Sequence, residues 1–225
     1  MRLIAHRGFA AEAPENTVAA VEYAAAHGAD LVEIDVRRCA SGEVVVVHDE
    51  TVDRVTGATG RVADLPLDEL RGFSVYDSDQ SVPTLAELLD AIPPSLGVNV
   101  ELKERGLAED VADALSTFRR THDGEVIVSS FDEDALREMR DADPDVPTAF
   151  LTDRLRERPV STARELGCSY VHPHYQLCLF SRVVERAHAA GLEVNVWTIR
   201  HGSLARLLGF LGVDGVTSDR SDVLR

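Results

Sequence analysis

The chain has 225 residues, 44% of them hydrophobic, enough to bury a full core within one α/β barrel. Its formal net charge of −16 argues against nucleic acid or an anionic membrane surface as a partner. No apolar run approaches the roughly 18 residues that a membrane span needs, so none is expected.

A first strand, 2–6, follows Met1 directly, with no charged leader, apolar stretch or cleavage site. The expectation is a cytoplasmic protein without a secretory signal. Cys39, Cys168 and Cys178 agree with it, because they lack metal-ligand spacing and cannot all pair. The strand closes on His6-Arg7-Gly8, and Pro14-Glu15-Asn16-Thr17 opens a helix over 15–27, stopped by Gly28. A second strand, 31–35, carries Glu33-Ile34-Asp35. The third, 44–48, ends in His48-Asp49, after a connection too short for a helix.

Residues 50–82, with Gly57, Gly60, Gly72 and Asp77-Ser78-Asp79, fit no strand or helix of the scaffold. Such an insertion is expected over the active face, with Phe73 and Tyr76 either touching the organic part of a ligand or anchoring the loop. Thr84-Leu85-Ala86-Glu87 is a capping box that starts a helix over 84–92. The strand 97–102 leads into Glu101-Leu102-Lys103, and Lys103 is the one lysine among 23 basic residues. So acidic and lysine-poor a surface suits a high-salt cytoplasm, or equally a GC-rich genome that favours arginine codons.

Strands at 126–130, 148–151, 169–172, 193–197 and 214–217 then alternate with helices at 107–120, 132–142, 159–166, 181–190 and 203–211. This alternation implies βα units and a parallel sheet. A closed barrel takes eight strands and nine are present. Either the second and third pair irregularly, or 214–217 is a stub at the mouth. No linker or repeat divides the chain, which reads as one domain over 1–225 with the insertion at 50–82.

In a βα barrel the C-terminal strand ends face the active site, and His6, Glu33, Asp35, His48, Glu101 and Lys103 all sit at or near such ends. A lone histidine is more often a structural, hydrogen-bonded residue, and His27, His122, His188 and His201 stay in that class. Glu33 and Asp35 differ from a solvated edge because Leu31, Val32, Ile34 and Val36 make their strand core, and buried acids need pairing or a metal. Glu33, Asp35 and Glu101 are candidate ligands for one hard divalent cation, Mg²⁺ or Ca²⁺ rather than zinc. Arg7 and Lys103 are candidate donors to phosphoryl oxygens. His6 and His48 are the candidate acid and base, with Asp49 a loosely held orienter of His48. Trp197 is a candidate substrate contact or a packed barrel residue. Tyr170, His172 and His174 alternate onto one face, Tyr170 towards the core.

The ordered series His6-Arg7-Gly8, Pro14-Glu15-Asn16-Thr17, Glu33-Ile34-Asp35, His48-Asp49, Pro83-Thr84-Leu85 and Glu101-Leu102-Lys103 resembles the motif series of the glycerophosphodiester phosphodiesterases. It continues through Ser129-Ser130-Phe131 and Val196-Trp197-Thr198 to Gly215-Val216-Thr217. The resemblance implies a TIM (β/α)8-type barrel with an insertion after the third strand. It also implies His6 and His48 as the catalytic pair, Glu33, Asp35 and Glu101 as metal ligands, Arg7 and Lys103 as phosphate contacts, and a structural Asn16. The implied reaction cleaves a glycerophosphodiester to glycerol 3-phosphate and an alcohol, with first attack by the neighbouring glycerol hydroxyl giving a cyclic phosphate that water then opens. A lysophospholipase D-type activity on lysophospholipids is the alternative. Ile199-Arg200-His201 and the serine in Thr217-Ser218-Asp219 depart from the family pattern at the barrel mouth and bear on substrate preference.

Overall fold

Short Val-, Ile- and Leu-rich runs, buried on both faces as parallel strands are, build the scaffold. The computed structural model describes residues 1–153 and 158–225. Among these lie β1 (Arg2–His6), β2 (Leu31–Arg38), β3 (Val44–Val46), β4 (Gly97–Leu102), β5 (Val126–Ser130), β6 (Thr148–Thr152), β7 (Tyr170–Pro173), β8 (Glu193–Ile199) and β9 (Gly215–Ser218). The sheet runs β1-β9-β8-β7-β6-β5-β4-β2, and a β1–β2 pairing closes it into a barrel of eight parallel strands. The ninth strand is β3, which lies outside and pairs antiparallel with the end of β2 (Val36 with Val46, Arg38 with Val44). Residues 39–43 are too few for a parallel crossover, so only a hairpin-like return is open to the chain. The terminal run is no stub: β9 pairs with both β8 and β1.

The helices are α1 (Val18–Ala26), α2 (Asp53–Thr56), α3 (Leu67–Leu70), α4 (Leu85–Ala91), α5 (Ala108–Phe118), α6 (Glu133–Ala142), α7 (Pro159–Glu165), α8 (Tyr175–Phe180), α9 (Val183–Ala189) and α10 (Gly202–Phe210). The capping box at Thr84 and Glu87 forms as expected. Helix α1 starts later than predicted, because Asn16 is left-handed (φ 59°) and Thr17 is the N-cap, accepting from the Ala20 N–H. Helix α8 was not foreseen; it is one short turn-and-a-half with no side-chain cap to announce it. Among the described residues no helix is long and apolar enough to cross a membrane.

Strand alternation sorts side chains by face. Val32, Ile34, Val36, Val98, Val100 and Leu102 point outward and pack under the helices. Ile4, Leu31, Ile127, Ala149 and Tyr170 form a separate apolar plug. Each Val, Leu or Ile among them contributes on the order of 1.5–3 kcal/mol when fully buried. Farther along the same strands the alternating positions turn polar and remain buried: Glu33, Asn99, Ser129, His172 and Asn195. Strand β3 links two cores. Val44 and Val46 join the barrel core, while Val45 and Val47 join a second cluster with Val52, Val55, Leu70, Val75 and Val82. The 50–82 insertion thus carries its own small core, built from α2, α3 and 3-10 turns at Val62–Asp64 and Val75–Asp77.

Candidate active site

The turn after β1 is made by three successive left-handed residues, Arg7 (φ 51°), Gly8 (φ 79°) and Phe9 (φ 65°). Only glycine fits at position 8, since a Cβ would stand 2.5–2.8 Å from the backbone and Cβ of Ala20 on α1. The turn directs the Arg7 N–H onto Glu33 Oε2 at 3.0 Å. It also brings the Arg7 side chain to Asp35 (Nε to Oδ2 3.1 Å) and to Glu15 (Nη1 to Oε1 3.0 Å).

Glu33, Asp35 and Glu101 are 3%, 0% and 9% exposed, and their nearest carboxylate oxygens all lie within 4.8 Å of one another. The i, i+2 spacing on β2 supplies two of them, and the register of the adjacent β4 sets Glu101 level with Asp35. Burial pushes the Glu33 carboxyl well above its usual range, and the charges of Asp35 and Glu101 push it further. Burial and the charge of Asp35 raise Glu101 as well, against the pull of Lys103. Burial also acts on Asp35, but Lys103, Arg7 and His48 together hold it below the usual range. Lys103 Nζ sits 2.6 Å from Glu101 Oε1 and 3.5 Å from Asp35 Oδ1. Even so, Glu33 Oε1 and Asp35 Oδ1 are buried without a hydrogen-bond donor. An all-oxygen donor set with open lone pairs and excess negative charge fits one hard divalent cation.

Asn16 does more than shape a turn. Its Nδ2 donates to Asp35 Oδ2 at 2.9 Å, and its Oδ1 accepts from the Asp35 backbone N–H at 3.3 Å, which fixes the carboxylate from behind.

Both histidines are held in the same way. His6 Nδ1 meets Asp219 Oδ1 at 2.5 Å, while Asp219 Oδ2 accepts from Arg200 Nε at 2.8 Å. His48 Nδ1 meets Asp49 Oδ1 at 2.5 Å, while Asp49 Oδ2 accepts from Arg54 Nε at 2.6 Å. Each ring is therefore oriented through Nδ1 by an aspartate that is itself clamped by an arginine. Burial tends to raise Asp219, but His6 and Arg200 bring it down to about 2. His48 is lowered by burial and by Lys103 and Arg7, against the pull of Asp35. Adjacent residues in an extended strand face opposite ways, but β3 ends at Val46 and the bend that follows lets Asp49 fold back onto His48. The partnership of His6 with Asp219 spans 213 positions, and no sequence spacing announces it.

His6, Arg7, His48 and Lys103 open with Glu33 and Glu101 onto a cavity of about 120 Å³, walled by Phe131 and Trp197, with Asp35 buried behind them. The Trp197 Nε1–H donates to the His172 carbonyl at 2.8 Å and its ring stands edge-on to Phe131 at 5.5 Å. It is a packed residue and a cavity wall at once. His172 lines the floor, accepts from Asn195 Nδ2 at 3.1 Å, and is depressed by burial to about 3. His174 touches the Trp197 ring edge-on, and Tyr170 belongs to the apolar plug with its hydroxyl donating to Glu125.

Phe73 and Tyr76 do not line this cavity. Phe73 packs on the core of the insertion, and the Tyr76 hydroxyl donates to Glu15 Oε2 at 2.9 Å. Sequence reasoning missed Glu15. It is buried and joins Arg7, Arg54 and Tyr76, and these donors hold its carboxyl below the usual range against the effect of burial. Its position inside Pro14-Glu15-Asn16-Thr17 was the available signal.

Residues 6–223 match the model of the Glycerophosphoryl diester phosphodiesterase family. The chain belongs to that family. Membership makes it a phosphoric diester hydrolase, and several bacterial relatives match it nearly end to end. A glycerophosphodiester phosphodiesterase of Caldanaerobacter subterraneus is 32% identical, over 99% of this chain and 95% of that one. One from Bacillus altitudinis is 30% identical, over 98% and 95%. Among solved structures, an Oleispira antarctica phosphodiesterase in complex with the product sn-glycerol-3-phosphate superimposes with a TM-score of 0.89 at 31% identity, covering 100% of this chain and 95% of that one. An Agrobacterium tumefaciens glycerophosphodiester phosphodiesterase gives 0.82 at 28%, covering 99% and 98%.

Proposed function

We propose that this chain hydrolyses glycerophosphodiesters to glycerol 3-phosphate and an alcohol, dependent on one divalent cation and on His6 and His48 as proton carriers. The observation that carries the reading is the pair of aspartate-oriented imidazoles opening onto one small cavity with a buried carboxylate trio. Glu33, Asp35 and Glu101 would hold Mg²⁺ or Ca²⁺, which when bound supplies positive charge to offset the anionic phosphoryl group. Arg7 and Lys103 add positively charged donors for phosphoryl oxygens. With Nδ1 engaged by Asp219 or Asp49, each ring keeps Nε2 for the reaction. One histidine accepts the proton of the attacking hydroxyl and the other delivers a proton to the leaving alkoxide. Attack by the substrate's own neighbouring hydroxyl is favoured because that nucleophile arrives already positioned; it expels the alcohol and leaves a cyclic glycerol phosphate, which water then opens to glycerol 3-phosphate with the two histidines in exchanged roles.

The insertion commits Val52, Val55, Leu70 and Val75 to its own core rather than to a groove beside the cavity, which favours a small substrate over a lysophospholipid. A single domain over 1–225 and a cytoplasmic location remain part of this proposal; three free, buried cysteines suit a reducing compartment. The test is release of glycerol 3-phosphate from glycerophosphocholine with Mg²⁺, Ca²⁺ or EDTA. His6→Ala and His48→Ala should each lower kcat by about 10²–10⁴-fold. Full activity in EDTA, or in both variants, sinks the mechanism.

A further inference from the structure

Beyond the arginines that clamp the two aspartates, the supports of His6 and His48 differ. Behind His6, Arg200 pairs with Asp219 alone among the described residues, and its side chain is 69% exposed. Behind His48, Arg54 is anchored a second time. Its Nη2 donates to Glu15 Oε1 at 2.7 Å and its Nη1 to Glu15 Oε2 at 2.9 Å, while its Nε keeps Asp49. The fork closes on a buried carboxylate that the proposed chemistry leaves without a role.

Glu15 also reaches the other side of the site. Its Oε1 accepts from Arg7 Nη1 at 3.0 Å, and Arg7 Nε faces Asp35 Oδ2 at 3.1 Å. Arg7 lines the cavity, and its Nη2 has no hydrogen-bond partner among the described residues, which leaves that nitrogen for a phosphoryl oxygen. Among the described residues Glu15 is the one carboxylate that touches both Arg7 and Arg54. Two guanidiniums converge on a single oxygen of it, and without its charge they would repel across a buried gap.

The insertion completes the arrangement. Arg54 comes from α2, and Tyr76 is left-handed (φ 51°), a conformation unfavourable for so bulky a residue. That turn carries the Tyr76 hydroxyl to Glu15, where it donates to Oε2 at 2.9 Å and accepts from Arg54 Nη1 at 2.6 Å. A chain of direct contacts then runs from His48 through Asp49, Arg54 and Glu15 to Arg7.

We propose that Glu15 is a positioning residue of the reaction, setting Arg7 against the phosphoryl group and, through Arg54 and Asp49, the ring of His48. The phosphate donor and one proton carrier are held in a fixed relation. The 50–82 insertion serves the chemistry by bracing that relation rather than by touching substrate. The inference rests on the phosphodiesterase reading and adds a residue to it.

The experiment uses the wild type, Glu15→Gln, Arg54→Met and the double variant. It measures kcat and KM for glycerophosphocholine, and the His48 tautomer by heteronuclear NMR of the imidazole nitrogens at about pH 8. In the wild type His48 should carry its proton on Nδ1, towards Asp49. Arg54→Met should lower kcat about 10-fold with KM unchanged. Glu15→Gln should lower kcat about 10–30-fold and also raise KM about 5-fold, because Arg7 is loosened as well. Both should leave His48 as a mixture of tautomers with the His6 signals unmoved. The double variant should fall no lower in kcat than Glu15→Gln, since both substitutions cut one chain.

An unchanged His48 tautomer in Glu15→Gln, a kcat within about 2-fold of the wild type, or losses that multiply in the double variant overturns the proposal. If Glu15→Gln does not fold, Glu15→Asp takes its place. Its carboxylate is withdrawn by one carbon, so a kcat loss of about 5-fold and the same tautomer change are expected, and neither appearing overturns the proposal. If the wild type releases no glycerol 3-phosphate, the phosphodiesterase reading fails. The tautomer then judges the contact chain alone: a change at His48 supports it and none overturns it.

Discussion

Glu33→Gln should separate stability from ion binding, with opposite signs for the two. The carboxylate oxygens of Glu33, Asp35 and Glu101 lie within 4.8 Å of one another, and two full charges at that distance repel by about 3.5 kcal/mol at an effective dielectric of about 20. Glu33 meets that repulsion twice. It recovers one attraction of the same order from Arg7, together with the 3.0 Å bond from the Arg7 N–H. A net destabilisation of about 2 kcal/mol remains when Glu33 is ionised, capped by its ability to take up a proton. Its folded pKa is raised, so this destabilisation is absent at pH values below the ordinary 4.5 and grows as pH rises above it.

In EDTA at pH 8–9 the glutamine variant should therefore melt higher than the wild type by about 4–8 °C, and the difference should vanish towards pH 4. With Mg²⁺ the order reverses. The wild type gains about 2.7 kcal/mol at an ion concentration of about 100 Kd, whereas the variant has lost one anionic ligand. Differential scanning fluorimetry across pH, with EDTA and with a Mg²⁺ titration, measures both effects. A variant less stable than the wild type in EDTA at pH 8, or one gaining as much from Mg²⁺, would refute the argument.

Asp219→Asn should lower kcat on glycerophosphocholine by about 10-fold or more by freeing the His6 ring, with KM little changed. The same substitution removes about 1–2 kcal/mol of stability, allowing for solvent at the rim, because the Asp219 carboxyl is held at about 2 against an ordinary 3.8. A depressed carboxylate stabilises above its unfolded pKa and stops doing so as pH falls through its folded one. The gap in urea midpoints between wild type and variant should thus be full above about pH 4 and roughly halved by about pH 3; a gap that widens with acid contradicts the pairing. Gly8→Ala should destabilise by about 3 kcal/mol or more, since it adds a left-handed alanine to contacts of 2.5–2.8 Å with Ala20. An urea midpoint within error of the wild type would mean that the His6-Arg7-Gly8 turn is not tight.

What the sequence determined by itself was whatever depends on local period and on order along the chain. The Val- and Ile-rich runs alternating with amphipathic stretches give a parallel α/β scaffold, and i, i+2 spacing puts Glu33 and Asp35 on one face of β2 because a strand repeats every two residues. Strand-end placement then brought His6, Glu101 and Lys103 to the same mouth, and the ordered motifs pointed to the family. Tertiary structure alone decided what depends on closure. Which of nine strands lies outside the ring follows from hydrogen bonds between β1 and β9, residues at opposite ends of the chain. The aspartate behind His6 comes from 213 positions away, and Asn16 reaches the back of Asp35 only because a left-handed turn folds it there. Phe73 and Tyr76 went to a second core and to Glu15 rather than to the cavity, since a 50–82 insertion must bury its own apolar residues before it can offer any to a ligand.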